Sequence, residues 1–194
     1  MTTIETVRVT PVPTADRVVA AWAAAHPVMR RAVLAACVTS AAISSVIPAP
    51  TSVRWSVATV GVILAIAAMV DVHEYRLPNR LLLAALAAAL AGAFSASSVS
   101  TLIAAAIGML LGGGLLLLVH LSRGVGMGDV KMAGVVGVSV GAVEVNAVPV
   151  AIAVAAFVAA AYGLAARRRR LPIGPALWFG WAVALSVCAA GWMS

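Results

Sequence analysis

Charged side chains are scarce in this chain. They make up 10% of its 194 residues, whereas hydrophobic residues make up 63%. Soluble proteins average about 25% charged residues, so a water-soluble domain of this length could not bury so much apolar surface. The natural solvent for such a surface is lipid, and the composition predicts a membrane protein.

Cysteine is nearly absent. The chain has two cysteines, Cys37 and Cys188, which lie inside apolar runs, and neither belongs to a CxxC motif. This pattern argues against a disulfide framework and against a cysteine-ligated zinc site. We interpret both cysteines as small core residues.

Acidic residues are also few, six in the whole chain: Glu5, Asp16, Asp71, Glu74, Asp129 and Glu144. Asp71 and Asp129 stand where a polar loop, 71–80 or 122–131, joins a long apolar run. Ionisable groups at membrane depth are expensive to bury, and we take them as candidates for function. The two aspartates are therefore the first candidate site residues.

The apolar runs predict an all-α, polytopic membrane protein with about six to seven transmembrane helices. Lengths near 15–22 residues suit helices that cross ~30 Å of hydrocarbon at ~1.5 Å per residue. Residues 1–27 are interpreted as a retained cytosolic tail, and 28–194 as a single membrane-embedded domain. The predicted spans are about 28–47, 55–70, 81–95, 101–121, 132–143, 147–166 and 171–193.

Two glycine pairs are predicted to help these helices pack. Gly108 and Gly112 lie one helical turn apart, as do Gly137 and Gly141. Small residues at this spacing let transmembrane helices approach each other closely.

Basic residues predict the orientation in the membrane, because cytoplasmic loops are enriched in lysine and arginine. With the N-terminus in the cytoplasm, every basic residue except Arg54 falls on the cytoplasmic side. The arginine run 167–170 is interpreted as a stop between two spans, and no nucleic-acid partner is predicted. Alternation of the helices then places the Asp71 and Asp129 loops on the same cytoplasmic face.

Two neighbouring aspartates suit peptide hydrolysis without a metal or other cofactor. Two like charges a few ångströms apart cannot both ionise easily, so the pair shares a proton. The ionised carboxylate can take a proton from water while the protonated one donates to the peptide bond. The pair titrates as a unit, and we assign no separate acid and base.

Residues around the aspartates are expected to shape the site. Gly126 and Gly128 would permit backbone conformations barred to other residues and leave room for a substrate strand. Pro78 and Asn79 would turn the chain after Asp71 back into its next helix.

Three other interpretations of these residues stay open. The aspartates could cap helices or pair with nearby basic residues such as Arg76 or Lys131. In a second alternative the protein is an ion or metal transporter, whose inner-face relay or ligand site would be formed by His73, Glu74, His120 and Asp129. In a third, the chain is a purely structural membrane partner in which neither aspartate matters.

The chain resembles the type IV prepilin peptidases, which are aspartic proteases of the GxGD class. Segment 71–79 begins with aspartate and ends Leu-Pro-Asn, like the family's first-aspartate loop. Segment 126–131 reads Gly-Met-Gly-Asp-Val-Lys, like the family's GxGD-x-K segment, in which Lys131 holds the last position. Segment 171–177 is similar to a late Pro-Phe-Gly-Pro stretch, with Ile173 in place of phenylalanine.

The resemblance implies catalysis by Asp71 and Asp129 at the cytoplasmic face of the bacterial inner (plasma) membrane. It implies a prepilin or pseudopilin substrate with a short basic leader, a cut after glycine and an apolar helix beyond it. Many members carry paired CxxC motifs and also N-methylate the new amino terminus. Because this chain has no CxxC, we predict cleavage without methylation.

Overall fold

A computed structural model of the protein describes residues 27–122, 125–166 and 171–192. Within these ranges the chain is helical and contains no strand. The predicted cytosolic tail falls almost wholly on residues 1–26, and it lies outside the described residues with the arginine run 167–170. The described helices are α1 (Pro27–Val46), α2 (Thr51–Glu74), α3 (Asn79–Ser95), α4 (Val99–Leu121), α5 (Met127–Gly141), α6 (Ala147–Ala166) and α7 (Gly174–Ala189).

The predicted polar loops are wrong in extent, although the order of the helices is as predicted. Helix α2 continues through Asp71 to Glu74, so only residues 75–78 connect it to α3. Its end is set by Tyr75, which adopts the left-handed conformation at φ 51° and donates its N–H to the Asp71 carbonyl at 2.9 Å. Helix α5 likewise begins before Asp129. A helix starts at its N-cap and ends at its stop signal, here Gly126 for α5 and Tyr75 for α2, whatever the polarity of the residues between, so polarity alone misplaced both boundaries.

The surface of the bundle is suited to lipid. Helices α2, α4 and α6 are long and apolar enough to cross a membrane, and α3 and α7 are shorter apolar helices. Large apolar side chains point away from the bundle, including Leu110 at 75% exposed and Leu164 at 82%. Soluble monomers rarely expose contiguous apolar surface of this kind. The protein is a helical membrane protein, as its composition predicts.

Helix α5 is the central helix. It contacts α2, α3, α4, α6 and α7, and every residue from Met132 to Gly141 is buried. Its 15 residues span about 22 Å, which is less than the ~30 Å thickness of the hydrocarbon layer. A helix that is enclosed by other helices does not need to match that thickness. One end of this buried helix carries Asp129.

Glycine lets α4 and α5 approach closely, as predicted. A Cβ on Gly108 would overlap the carbonyl oxygen of Gly137, and a Cβ on Gly137 would overlap that of Gly108. Gly112 and Gly141 are equally constrained, by the backbone at Ala133 and Ala104. The packing role of these four glycines is confirmed, and the contact fixes where α5 lies.

Candidate active site

Asp71 is held by the first turn of α7. The aspartate lies near the end of α2 and is 5% exposed. Its Oδ2 accepts a hydrogen bond from the backbone N–H of Gly174 at 2.9 Å. Gly174 is the first residue of α7, and the first N–H groups of a helix have no partner within it. The carboxylate therefore occupies the electropositive end of a helix.

A side chain at position 174 would crowd this contact. A Cβ at this position would lie 3.0 Å from Asp71 Oδ2 and 3.2 Å from Ala68 Cα. The sequence reasoning did not select Gly174 as a site residue. A signal was present, because Pro175 follows it and proline is favoured in the first turn of a helix. That proline marks a helix start and hence an N–H available to another group.

Asp129 is held by its own helix. It lies in the first turn of α5 and is half-buried. Its Oδ2 accepts a hydrogen bond from the backbone N–H of Gly126, the N-cap residue, at 3.2 Å. An acid in the first turn also interacts favourably with the helix dipole. Both candidate acids thus accept one backbone hydrogen bond at the start of a helix, the contact expected of capping residues.

The structure brings the two acids to one end of the bundle, although they are far apart in the sequence. The connections next to them touch, since Gly128 of α5 lies against Leu77 of the α2–α3 connection. The charge of Asp71 acts on Asp129 through a coulombic interaction. The two acids therefore lie near enough for the charge of one to act on the other.

The expected role of Gly126 and Gly128 in backbone conformation is wrong. Gly126 has φ −75° and ψ 152°, ordinary extended values, and Gly128 is helical. What both positions require is space. A Cβ on Gly126 would lie 3.2 Å from Asp129 Oδ2, and a Cβ on Gly128 would lie 3.2 Å from Leu77 Cβ. The room at Gly128 is filled by the protein's own loop.

Pro78 and Asn79 start α3, as predicted. Pro78 is its N-cap at φ −70°, and its carbonyl accepts the N–H of Leu82 at 3.3 Å. Asn79 is the first helical residue, and its Oδ1 accepts a hydrogen bond from Lys131 Nζ at 3.0 Å. Lys131 therefore ties α5 to α3 one turn from the Asp129 end.

The histidines near this end do not join the aspartates in a metal site. His120 Nδ1 donates to the Val125 carbonyl at 2.7 Å, which holds the chain entering α5. Across the described ranges, no three His, Cys, Asp or Glu side chains gather where they could hold a metal ion. The alternative cluster of His73, Glu74, His120 and Asp129 is therefore not assembled.

A comparison with family models identifies the chain. The model of the type IV leader peptidase family matches residues 58–164, more than half of the sequence. The chain belongs to this family. The resemblance seen in the sequence is confirmed, and the matched range contains both Asp71 and Asp129. Searches of curated proteins and of solved structures found no match. Membership in the leader peptidase family makes the protein a peptidase.

Proposed function

We propose that this leader peptidase is an aspartic endopeptidase that removes the basic leader of type IV prepilins or pseudopilins. The cut follows glycine at the cytoplasmic face of the plasma membrane. The observation that supports the proposal is that Asp71 and Asp129, from separate parts of the sequence, lie at the same end of the bundle, close enough for the charge of Asp71 to act on Asp129. A carboxylate pair of this kind can activate water without a metal.

The hydrogen bonds of the two acids suit this role. Each carboxylate accepts a hydrogen bond through Oδ2 from a backbone N–H, that of Gly174 for Asp71 and that of Gly126 for Asp129. In the proposed reaction, water and the scissile peptide would bind at the carboxylate oxygens of this pair. Two negative charges side by side in a poorly hydrated site are unfavourable, so the pair holds one shared proton. The ionised member accepts a proton from water, and the protonated member donates to the peptide.

Cleavage of a co-expressed prepilin by the wild type, Asp71→Asn and Asp129→Asn tests the proposal as a mobility shift on a gel. Asparagine caps helices as well as aspartate does, so each substitution keeps an acceptor for the Gly174 or Gly126 N–H. It removes the carboxylate that can exchange a proton. We expect both variants to insert into the membrane normally and to lose cleavage by a factor of about 10³ or more.

Glu74→Gln is the matched control, since it neutralises an exposed acid at the end of the same helix as Asp71. It should cut at the wild-type rate. Cleavage by both asparagine variants would show that the aspartates are helix caps and that the two-aspartate mechanism is wrong. Loss of ion transport in the aspartate variants, with no cleavage by the wild type, would favour the ion-relay alternative. Mass spectrometry of the product should show an unmethylated amino terminus.

A further inference from the structure

A groove of about 630 Å³ lies between α3, α4 and α5. It forms because α3 and α4 both pack on α5 but make few contacts with each other. Each helix contributes one face to it, and the lining is almost entirely apolar. Leu110, at 75% exposed, stands at its open side and faces the surroundings of the bundle.

One end of the groove adjoins the candidate active site. Val130 and Lys131, the two residues directly after Asp129, line it. The hydrogen bond from Lys131 Nζ to Asn79 Oδ1, at 3.0 Å, lies at this end and is its polar part. A chain that leaves the aspartates towards the membrane therefore enters the groove directly.

Two glycines of α4 line the groove without being needed by the fold. A Cβ on Gly114 would have no atom within 4 Å, and a Cβ on Gly113 would meet its nearest neighbour at 3.5 Å, an ordinary contact. Gly108 and Gly112, in the same helix, could not carry a Cβ at all without moving α5. Glycine destabilises a helix interior relative to alanine, so Gly113 and Gly114 are unexplained by internal packing.

We propose that this groove binds the start of the substrate's apolar helix, directly after the scissile bond. The inference rests on the proposed function. The part of α5 that lines the groove runs from Met127 to Val135. It is about 12 Å long, the length of about two turns of a helix. Two turns present three to four apolar side chains on one face. Bare glycine backbone lets a second helix approach closely, whereas a lipid chain needs no such surface.

Site-specific photo-cross-linking tests the groove with neighbouring positions as a matched pair. Leu117 lines the groove, whereas Leu118, the next residue, is 66% exposed and does not. A photoreactive residue would replace each in an Asp129→Asn background, so that a co-expressed prepilin stays uncut. We expect at least tenfold more cross-linking to the prepilin from position 117 than from position 118.

A kinetic experiment tests the same groove in the otherwise unmodified protein. Gly114→Leu fills the groove, and Ala160→Leu adds an apolar side chain at an exposed position of α6 outside it. Two substrates are compared, the full prepilin and a peptide that ends shortly after the cut and lacks the apolar helix. We expect Gly114→Leu to raise KM for the prepilin about tenfold and to leave KM for the peptide unchanged. Ala160→Leu should change neither value.

The outcomes separate the groove from the peptidase. Wild-type cleavage together with equal cross-linking from both positions, or with none from position 117, would overturn the groove and leave the peptidase intact. An equal loss on both substrates in Gly114→Leu would also overturn it. If the wild type cut neither substrate, the proposed function would fail first, and this inference with it.

Discussion

At the scale of single residues, two glycines constrain the two acids in the same way. The N–H of Gly174 binds Asp71 and the N–H of Gly126 binds Asp129, each through Oδ2. In both cases a Cβ would crowd the carboxylate that the amide holds. The glycines thus combine a donor with the absence of a side chain, and small changes at either should move a carboxylate.

Replacing Gly174 with alanine should displace Asp71 while the protein stays folded. The added Cβ would lie 3.0 Å from Asp71 Oδ2, so the carboxylate must shift by a few tenths of an ångström. Because misplacement by 1 Å can reduce a rate by about 10², we expect kcat to fall about tenfold with little change in KM. Kinetics on a prepilin, with thermal unfolding in detergent beside them, check this.

A role of Gly174 through Asp71 also requires a change in the pH profile of kcat, since the shift weakens the hydrogen bond from the backbone N–H at position 174 to the carboxylate. A lower unfolding temperature with an unaltered pH profile would mean that Gly174 serves the fold alone.

At the scale of helices, α5 shows why a short, glycine-rich segment can carry a site. It is enclosed by five other helices, and its buried face extends all around it because its residues are small. Close packing fixes its position, and with it the position of Asp129. The contacts of α5 are therefore the places where packing and activity are connected.

Gly108→Ala should separate α4 from α5. The new methyl group would overlap the Gly137 backbone, which cannot rotate away as a side chain can. We expect a loss of about 1–3 kcal/mol in the free energy of unfolding, typical of overpacking. Gly113→Ala in the same helix is the control, since its Cβ meets only ordinary contacts. It should keep or slightly raise stability, and a similar loss in both variants would contradict this account.

Trp181 and Ser139 join α7 to α5. Helix α7 carries Gly174, which binds Asp71, and helix α5 carries Asp129. Trp181 is fully buried, and its Nε1 donates to Ser139 Oγ at 3.1 Å. Trp181→Phe and Ser139→Ala should each destabilise the protein by about 1 kcal/mol. The double variant should lose less than the sum, because both changes remove the same bond. Additive losses in denaturant unfolding would show that the bond contributes nothing.

At the scale of the whole molecule, the charges lie unevenly along the bundle. Arg76, Arg80 and Lys131 belong to the end that carries the two aspartates. Arg54 lies at the other end, where its Nε donates to the Ile47 carbonyl at 3.0 Å. Because cytoplasmic ends are enriched in lysine and arginine, the aspartate end is predicted to face the cytoplasm.

Labelling with a membrane-impermeant thiol reagent in intact cells tests this orientation. Cys37 and Cys188 would first be replaced by serine, which leaves no native thiol. Single cysteines would then be placed at the exposed positions Ser97, Asn146 and Arg76. We expect labelling at 97 and 146 in intact cells, and at 76 only after the membrane is opened. The reverse pattern would place the aspartates outside and exclude a cytoplasmic cut.

The sequence by itself determined the class of the protein, the order of its helices and the two candidate acids. Apolar runs require lipid or protein around them, and so few acids stand near the ends of such runs that Asp71 and Asp129 could be selected directly. The start of α3 at Pro78 and Asn79 was equally readable, because it depends on local backbone preferences.

Only the tertiary structure decided what surrounds the acids. Two contacts join segments that are distant in the sequence: the Gly174 amide binds Asp71, and Gly128 lies against Leu77. The open groove at Gly114 likewise depends on how separate helices pack. No local pattern states which faces of two helices meet, or whether a glycine serves conformation, packing or an open surface. The distances between helices decide both points, and these distances are fixed only when the whole bundle is packed.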